Sequence, residues 1–548
     1  MNTNDFSILI GGAAGQGSRK AGLIVAKIFN SLGYGILIYD DYQSLIRGGH
    51  SFSLIRVSEK ESLSHSRSID FLLALDQRTI EEHEGDLNKE GVIVFNKDRI
   101  KNSKGTGIAI EAIVKECGGI PIMANIALIG GFAKITGIEW EVLEQVLRKE
   151  IGREIEKNLE IAQKAFDNAQ SIIEIKKLKN NPRPLLTGNE AVAFGGVKAG
   201  LEIYYAYPMT PATGILHYLA EHNQDLNVCV SQLENEIAII NAAIGSAYAG
   251  KRSMVGTSGG GFALMTEALS LAVQAETPVV IVESQRPGPA SGVPTYQAQG
   301  DLLFSLFAGH GDIVKFVVAP GDANEAFYWT ARAMNLAWKY QTPVIVLIDK
   351  ELSESTYSFN EEEIKKEEGR TWDGKGEYKR YLDLKDGISP VAFPGSKGVV
   401  KATSYEHDEF GITTEDAEAV KKMQEKRMKK FELMREEAEK IQSVNVFGNL
   451  KSKTAIVCFG STKGVAREAA EGLELKMVQP LILEPFPKEQ VEKALMGSEK
   501  IICVENNASG QLAKLLSCHG ISVGEKVLKY DGRPFFKEEL EEKIKKFI

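Results

Sequence analysis

Between residues 201 and 286 the sequence alternates between short apolar runs and longer stretches of helix-forming residues. Four runs are rich in β-branched, aromatic or apolar residues and predict strands at 201–207, 227–231, 253–257 and 278–284. Helices are predicted between them over 236–249 and 262–275, and another is predicted from Pro211, with Thr210 as its N-cap. Strands that alternate with helices in this way predict a parallel, doubly wound α/β sheet.

Polar residues of this region follow the predicted strands. Thr210, Thr257, Ser258 and Arg286 each come just after a strand, and Glu236 begins the helix at the same edge. Ligands of open α/β sheets bind at the carboxyl ends of the strands. A hydroxyl, a carboxylate and a guanidinium gathered there predict a site for a small anion and a nitrogen heterocycle. Helix caps and solvated loop ends are the alternative, because every such sheet gathers polar residues at this edge.

Four segments resemble the α subunit of the 2-oxoacid:ferredoxin oxidoreductases. They are Tyr-Pro-Met-Thr-Pro at 207–211, the stretch 234–250, Thr-Ser-Gly-Gly-Gly at 257–261, and His-Gly-Asp at 310–312 with Ala-Pro at 319–320. The resemblance covers nearly the whole chain. It implies a thiamine diphosphate-dependent enzyme that decarboxylates a 2-oxoacid, passes electrons to iron–sulfur clusters and releases an acyl-CoA.

The resemblance also implies roles for single residues. Glu236 is expected to hydrogen-bond the pyrimidine nitrogen of thiamine diphosphate and to favour its imino form. Arg286 is expected to bind the carboxylate of the 2-oxoacid in a planar fork, with Thr210 adding a hydroxyl donor. Thr257 and Ser258 are the other predicted cofactor contacts.

Glu234 competes with Glu236 for the cofactor role. Glu236 is preferred because its offset from Ala249-Gly250 matches the family.

The N-terminal region combines a strand at 6–10, a glycine-rich turn at 11–17 and a helix at 18–32. Such a turn lets a phosphate approach a helix N-terminus. Asp40 and Asp41 close the next strand, where a dinucleotide-binding fold holds a ribose. An NAD-dependent dehydrogenase is therefore one alternative function, and a non-catalytic scaffold that binds coenzyme A or a nucleotide is another.

The continuation of this region resembles the γ subunit of the same oxidoreductases, here fused ahead of α. It carries an Arg-Gly-Gly segment followed by an alternating strand at 51–57. The resemblance implies a Rossmann-like domain near the site of coenzyme A, the co-substrate. Gly15, Gly17, Arg47 and His50 are the candidate contacts with coenzyme A.

Two motifs expected of the complete enzyme are missing from the sequence. None of the four Gly-Asp pairs continues to Gly-Asp-Gly, the motif with which thiamine enzymes hold Mg²⁺ and the diphosphate. The five cysteines are scattered and form no C-x-x-C pair, which argues against a [4Fe–4S] motif. We therefore predict no metal site on this chain. A β subunit is expected to supply Gly-Asp-Gly, Mg²⁺ and the cluster cysteines, and ferredoxin is expected to bind the complex.

The chain is predicted to have five parts: a γ-type domain at 1–178, a linker at 179–184, a thiamine diphosphate pyrimidine-type domain at 185–355, a charged connector at 356–445 and a transketolase C-terminal-like domain at 446–548. Long helices are predicted at 140–172 and 414–441. We interpret Glu-His-Asp-Glu at 406–409 as a solvated loop and 310–312 as a structural turn.

Composition excludes some partners. A net charge of −9 argues against nucleic acid. No apolar run reaches about 18 residues, and the first residues lack a secretory pattern, so we expect no membrane span and a cytoplasmic location. The γα fusion favours 2-oxoglutarate as the substrate over pyruvate or branched-chain 2-oxoacids.

Overall fold

The computed structural model describes residues 3–44, 48–101 and 103–548. These form two compact units. The first comprises the chain up to Leu186 with the short segments 355–360 and 536–539. The second comprises 187–354, 361–535 and 540–548.

The strands are β1 Asp5–Ala14, β2 Gly35–Asp41, β3 Gly48–Ser58, β4 Ile69–Ala74, β5 Leu87–Asn96, β6 Thr106–Ile108, β7 Leu185–Thr187, β8 Ile203–Ala206, β9 Cys229–Gln232, β10 Ser253–Thr257, β11 Val279–Gln285, β12 Phe316–Val318, β13 Pro343–Asp349, β14 Thr356–Ser358, β15 Val444–Gly448, β16 Thr454–Val457, β17 Lys476–Pro480, β18 Ile482–Glu484, β19 Lys500–Glu505 and β20 Glu525–Leu528.

The α-helices are α1 Ser18–Ser31, α2 Gln77–His83, α3 Ile110–Glu116, α4 Ala124–Ile135, α5 Trp140–Glu150, α6 Ile155–Asp167, α7 Gly188–Lys198, α8 Thr213–Glu221, α9 Asn223–Leu226, α10 Glu236–Tyr248, α11 Gly259–Gln274, α12 Leu302–Phe307, α13 Ala323–Tyr340, α14 Lys350–Glu354, α15 Ala417–Lys440, α16 Thr462–Gly472, α17 Lys488–Leu495, α18 Gln511–Cys518 and α19 Lys537–Lys545. Short 3₁₀ helices lie at Glu84–Asp86 and Pro121–Met123.

The first unit contains a sheet with strand order β6-β5-β4-β1-β3-β2-β14-β7. Strand β3 lies between β1 and β2 and is antiparallel to both. In a dinucleotide-binding fold the second strand lies directly beside the first. The acidic end of β2 is therefore one strand too far from the glycine turn, which argues against the dehydrogenase alternative.

The helix predicted at 140–172 is two helices, α5 and α6. The chain breaks at 151–154, where Glu154 adopts a left-handed conformation with φ of 48°. A non-glycine residue in that region does not continue an α-helix. The prediction of one long helix is therefore wrong.

The second unit contains the central sheet, with strand order β18-β12-β13-β11-β10-β8-β9. All its strand pairs are parallel except β12 with β18. The predicted α/β class and parallel sheet are confirmed. Strands β11 and β13 are buried along their whole length, as is usual for the middle of a parallel sheet. Strands β8, β10 and β11 end near one another, and we call this the carboxyl edge.

Thr210 is not a helix N-cap, so that prediction is wrong. Helix α8 begins at Thr213 with Ala212 in the cap position, and the Thr210–Pro211 peptide is cis. The side-chain amide of Asn189 donates to the carbonyl of Pro211 at 2.8 Å and fixes the turn before the helix. Residues 310–312 lie in a bend outside the helices and strands, where a structural turn is predicted.

The C-terminal sheet of the second unit has strand order β15-β17-β16-β19-β20 and shares a hydrophobic core with the central sheet. The buried Gln299 joins the two sheets. Its amide donates to the carbonyl of Phe459 at 2.8 Å and to the carboxyl of Asp349 at 3.0 Å. Burial raises the pKa of Asp349.

Helix α15 confirms the predicted helix at 414–441. The loop at 406–409 is not solvated, so that interpretation is wrong. His407 is fully buried, and Glu406 forms an ion pair with the buried Arg427 of α15. A buried guanidinium needs a charged partner, and this draws the loop onto the helix.

Candidate functional site

Two candidate carboxylates precede or begin α10, and the structure separates them. Glu236 is buried, with 3% of its surface exposed, whereas Glu234 is exposed. The helix starts here because the side chain of Asn235 caps it, accepting a 2.9 Å hydrogen bond from the N–H of Ala238. The carboxylate of Glu236 is thereby held at the head of the helix, at the carboxyl edge.

The carboxylate of Glu236 and the hydroxyl of Thr257 converge on Gly261. A methyl group added to Gly261 would lie 2.6 Å from Oε1 of Glu236 and in hard contact with Oγ1 of Thr257. Oε1 of Glu236 is buried and has no hydrogen-bond partner among the residues that the structure describes. Because buried polar atoms are almost always hydrogen-bonded, this oxygen marks a place for a donor that the described chain does not supply.

The glycines that open α11 shape the other wall of this space. Ser258 is the N-cap residue of α11 and is buried. A methyl group added to Gly260 would meet no atom within 4 Å, so the surface there is open. The first N–H groups of a helix have no partner within it and favour an anion.

Arg286 follows β11 and is partly buried. Its Nη1 donates a 2.7 Å hydrogen bond to the carbonyl oxygen of Thr210. Burial lowers the pKa of Arg286, and the carboxylate of Asp301 opposes that shift. The structure therefore brings the predicted Arg286 and Thr210 together.

Two acidic residues next to the site were missed from the sequence. Glu283 is fully buried in β11, and its Oε2 accepts a hydrogen bond from the hydroxyl of Ser305. Burial and the adjacent carboxyl of Asp301 raise the pKa of Glu283 well above its ordinary value, and burial raises the pKa of Asp301 too. The pair therefore favours a shared proton. The signal in the sequence was a glutamate inside an otherwise apolar strand.

Asp301 also reaches the start of α11. Its Oδ2 would lie in hard contact with a methyl group on Gly259, and its Oδ1 would lie 3.1 Å from that group. The carboxyl of Asp301 thus acts on Arg286 and also approaches the glycine-rich helix start.

The γ-type candidates belong to the first unit. Gly15 has φ of 94°, and a methyl group there would meet no atom within 4 Å, so its turn is open. Gly17 is the N-cap of α1 with φ of 79°. His50 is buried, with its Nε2 2.8 Å from Nε2 of His83. Arg47 lies outside the described residues.

Comparison with known proteins places the chain in a family. Residues 195–428 match the family described as pyruvate flavodoxin/ferredoxin oxidoreductase, thiamine diP-binding, and residues 7–168 match pyruvate ferredoxin/flavodoxin oxidoreductase. The α subunit of 2-oxoacid:ferredoxin oxidoreductase 2 from Aeropyrum pernix is 34% identical to this chain in an alignment 628 positions long. The alignment covers 99% of this chain and 98% of that protein.

This chain belongs to the 2-oxoacid:ferredoxin oxidoreductases.

Other relatives in this oxidoreductase family agree. The 2-oxoglutarate synthase subunit KorA from Archaeoglobus fulgidus is 33% identical over 60% of this chain and 89% of its own length. The structure of 2-oxoglutarate:ferredoxin oxidoreductase from Magnetococcus marinus, with 2-oxoglutarate, coenzyme A and succinyl-CoA bound, superposes with a TM-score of 0.90 at 30% identity. Each chain is 99% covered in that comparison.

Family membership makes this chain the α subunit of a thiamine diphosphate-dependent 2-oxoacid:ferredoxin oxidoreductase, and hence part of a multi-subunit enzyme. The two alternative predictions, a nicotinamide-linked dehydrogenase and a non-catalytic scaffold, are therefore wrong. In the described part of the chain, no helix has the length and apolar character needed to cross a membrane.

Proposed function

We propose that the carboxyl edge of the central sheet binds thiamine diphosphate through Glu236, Thr257 and Ser258. The buried Oε1 of Glu236, which lacks a partner among the described residues, carries the proposal. A carboxylate buried at this depth is stabilised by a donor such as a protonated ring nitrogen, and the low dielectric strengthens that bond. The glycine start of α11 leaves room beside it.

When bound, thiamine diphosphate supplies the nucleophilic carbon and the electron sink that decarboxylation of a 2-oxoacid requires. This chain's contribution is to orient the cofactor. Glu236 holds one end of the ring by its carboxylate, and Thr257 and Ser258 offer polar atoms at the end of β10. Gly261 has no side chain and so leaves room for the carboxylate and the hydroxyl to converge.

Arg286 and Thr210 bind the substrate carboxylate in this proposal. A guanidinium donates two parallel hydrogen bonds to a carboxylate, and its planar fork fixes the orientation of the 2-oxoacid. The bond from Nη1 to the carbonyl of Thr210 holds the guanidinium at the carboxyl edge.

We favour 2-oxoglutarate as the substrate and coenzyme A as the acyl acceptor. Support comes from the Magnetococcus marinus enzyme, whose structure contains both compounds, and from the 2-oxoglutarate synthase subunits among the relatives. Gly15 and Gly17 are the proposed coenzyme A contacts. A methyl group on Gly15 would meet no atom within 4 Å, whereas one on Gly17 would lie 2.8 Å from Nδ2 of Asn125. Arg47 and His50 stay predictions in this role. A direct contact by the buried His50 requires its ring to become uncovered.

A β subunit completes the enzyme in this proposal. It carries the Gly-Asp-Gly motif, Mg²⁺ and the [4Fe–4S] clusters, because this sequence has neither the motif nor grouped cysteines. Ferredoxin receives the electrons, and the complex works in the cytoplasm. The chain purified without any partner is expected to be colourless and inactive. Visible cluster absorbance from that preparation would contradict the two-polypeptide arrangement.

Glu236→Gln tests the cofactor role in the complex with the β subunit. The change is isosteric but removes the charge, and we expect turnover of the 2-oxoacid to fall on the order of 100-fold or more, with assembly intact. Glu234→Gln is the matched control, because Glu234 is exposed two residues away. Normal turnover in Glu236→Gln, together with a loss of turnover in Glu234→Gln, would show that Glu234 and not Glu236 binds the cofactor.

The substrate is tested on the same complex. We expect kcat/KM to be highest for 2-oxoglutarate in a panel with pyruvate and 2-oxoisovalerate. A preference for either of the other two acids would overturn the substrate assignment and leave the cofactor site untouched.

A further inference from the structure

A cluster of two histidines and a glutamate lies in the first unit. His50 belongs to β3, and Glu82 and His83 form the end of α2. One potential ligand atom from each lies within 4.8 Å of the other two. We propose that this cluster is a zinc site with the two imidazoles and the carboxylate as ligands.

The distances suit one small cation. Nε2 of His50 lies 2.8 Å from Nε2 of His83 and 3.8 Å from Oε2 of Glu82. Zinc bonds of about 2.0–2.2 Å in a tetrahedron place neighbouring ligand atoms about 3.3–3.5 Å apart. These two distances bracket that value, and the third pair of ligand atoms, from His83 and Glu82, lies within 4.8 Å. Three protein ligands leave the fourth position to a water molecule.

The surroundings hold the ligands in place. The ring of Phe52 stacks on His50 at 5.7 Å between centroids and meets the edge of His83 at 4.8 Å. Nε of Arg78 donates to Oε1 of Glu82 at 2.5 Å, which leaves Oε2 facing His50. Partners that fix a ligating side chain in this way are typical of metal sites.

The buried ring of His50 brings one of its nitrogens into the cluster. Only 5% of the residue is exposed, and its Nε2 faces the imidazole of His83 and, at a greater distance, the carboxylate of Glu82. An ion at this point would take the lone pair of that nitrogen, which the burial of the ring largely keeps from bulk water.

The charges around His50 favour a cation. The carboxylates of Glu82, Asp76 and Asp41 all act on His50, against the guanidinium of Arg78. Two imidazoles and one carboxylate form a borderline donor set that suits Zn²⁺.

The test uses the full chain without an affinity tag, treated with chelator and then titrated with Zn²⁺ by calorimetry. We expect one ion per chain and a rise in the melting temperature on zinc addition. Substitution by Co²⁺ is expected to give the visible bands of a four-coordinate ion. His83→Gln should weaken binding by more than the roughly 10- to 100-fold that loss of an outer partner costs. Glu82→Gln should weaken binding as well.

Glu81→Gln is the matched control, because Glu81 is exposed on the same helix. It should bind zinc like the unmodified chain. His50→Ala removes a buried ring and is checked by its unfolding curve before its affinity is read. Failure of the unmodified chain to bind zinc at micromolar concentration would overturn the proposal, as would unchanged zinc affinity in His83→Gln.

Discussion

The guanidinium of Arg286 and the carbonyl oxygen of Thr210 are joined by a 2.7 Å hydrogen bond across the carboxyl edge of the central sheet. Arg286 follows β11 and Thr210 follows β8, and β10 lies between those two strands. The contact therefore joins two segments that follow strands two places apart in the sheet. It explains how one residue proposed to bind the substrate is positioned by another segment.

Arg286→Lys is expected to lower kcat/KM for the 2-oxoacid. Lysine keeps the charge but loses the planar fork that grips both a carboxylate and the carbonyl of Thr210. The loss of one charge-assisted contact costs about 1.5–3 kcal/mol, or roughly 10- to 150-fold in kcat/KM. Affinity for thiamine diphosphate should change little, and steady-state kinetics with a cofactor titration measures both.

A purely structural role for Arg286 makes a different prediction. If it only fixes the turn at Thr210, the melting temperature should drop sharply while the KM for the 2-oxoacid stays the same. That combination would remove Arg286 from the substrate site.

Gly261→Ala is expected to impair the cofactor site. The added methyl group would collide with Oγ1 of Thr257 and approach Oε1 of Glu236 to 2.6 Å. Overpacking of this kind costs about 1–3 kcal/mol, and here it displaces the two groups proposed to hold the cofactor. We expect weaker thiamine diphosphate binding in the complex, measured by calorimetry.

Gly260→Ala is the matched control for that change. Its methyl group meets nothing within 4 Å, and both glycines lie in the first turn of α11. Cofactor affinity in Gly261→Ala equal to that of the unmodified chain would show that the space around Gly261 is not part of the site.

The sequence reveals residues that are positioned by strand ends. Thr257, Ser258 and Arg286 each follow an apolar run, and parallel strands must gather their carboxyl ends, so their grouping was predictable. Glu236 was separable from Glu234 only by resemblance, whereas burial separates the two directly.

The sequence does not reveal the features that depend on contacts between residues far apart along the chain. The approach of Asp301 to Glu283 depends on how a loop returns to β11, and no periodicity encodes it. The insertion of β3 between β1 and β2 is hidden for the same reason, since an alternating strand does not reveal its neighbours. Glu406 seemed solvated because its partner, Arg427, lies 21 positions later.

Glu276→Gln is expected to destabilise the chain. The carboxylate of Glu276 is fully buried and accepts hydrogen bonds of 2.7 Å from both Lys426 and Lys430 of α15. Burial alone would raise the pKa of Glu276, but the two ammonium groups outweigh it and hold that pKa low. Glutamine leaves two buried ammonium groups without a counter-charge, which costs about 3–5 kcal/mol. The midpoint of urea unfolding measures the loss.

Lys429→Gln is the control for the buried cluster of Glu276, Lys426 and Lys430. Lys429 is partly exposed and pairs with Asp383, whereas Lys430 is buried on Glu276. Because exposed ion pairs contribute about 0–1 kcal/mol, Lys429→Gln should leave the midpoint nearly unchanged. A loss in Lys429→Gln as large as that in Glu276→Gln would contradict a special role for the buried cluster.

Glu283→Gln is expected to change how stability depends on pH. Burial and Asp301 raise the pKa of Glu283 above its ordinary value of 4.5, so the folded chain binds the proton more tightly than the unfolded chain. The stabilisation is complete below that ordinary value and is lost as the pH rises through the folded-state pKa. Glutamine resembles the protonated acid and does not titrate, so the variant should lose less stability with rising pH.

Thermal midpoints from about pH 5 to about pH 9 measure the two slopes. Glu267→Gln, at an exposed position of α11, should keep the slope of the unmodified chain, and an equal slope in Glu283→Gln would show that the carboxyl pair holds no proton.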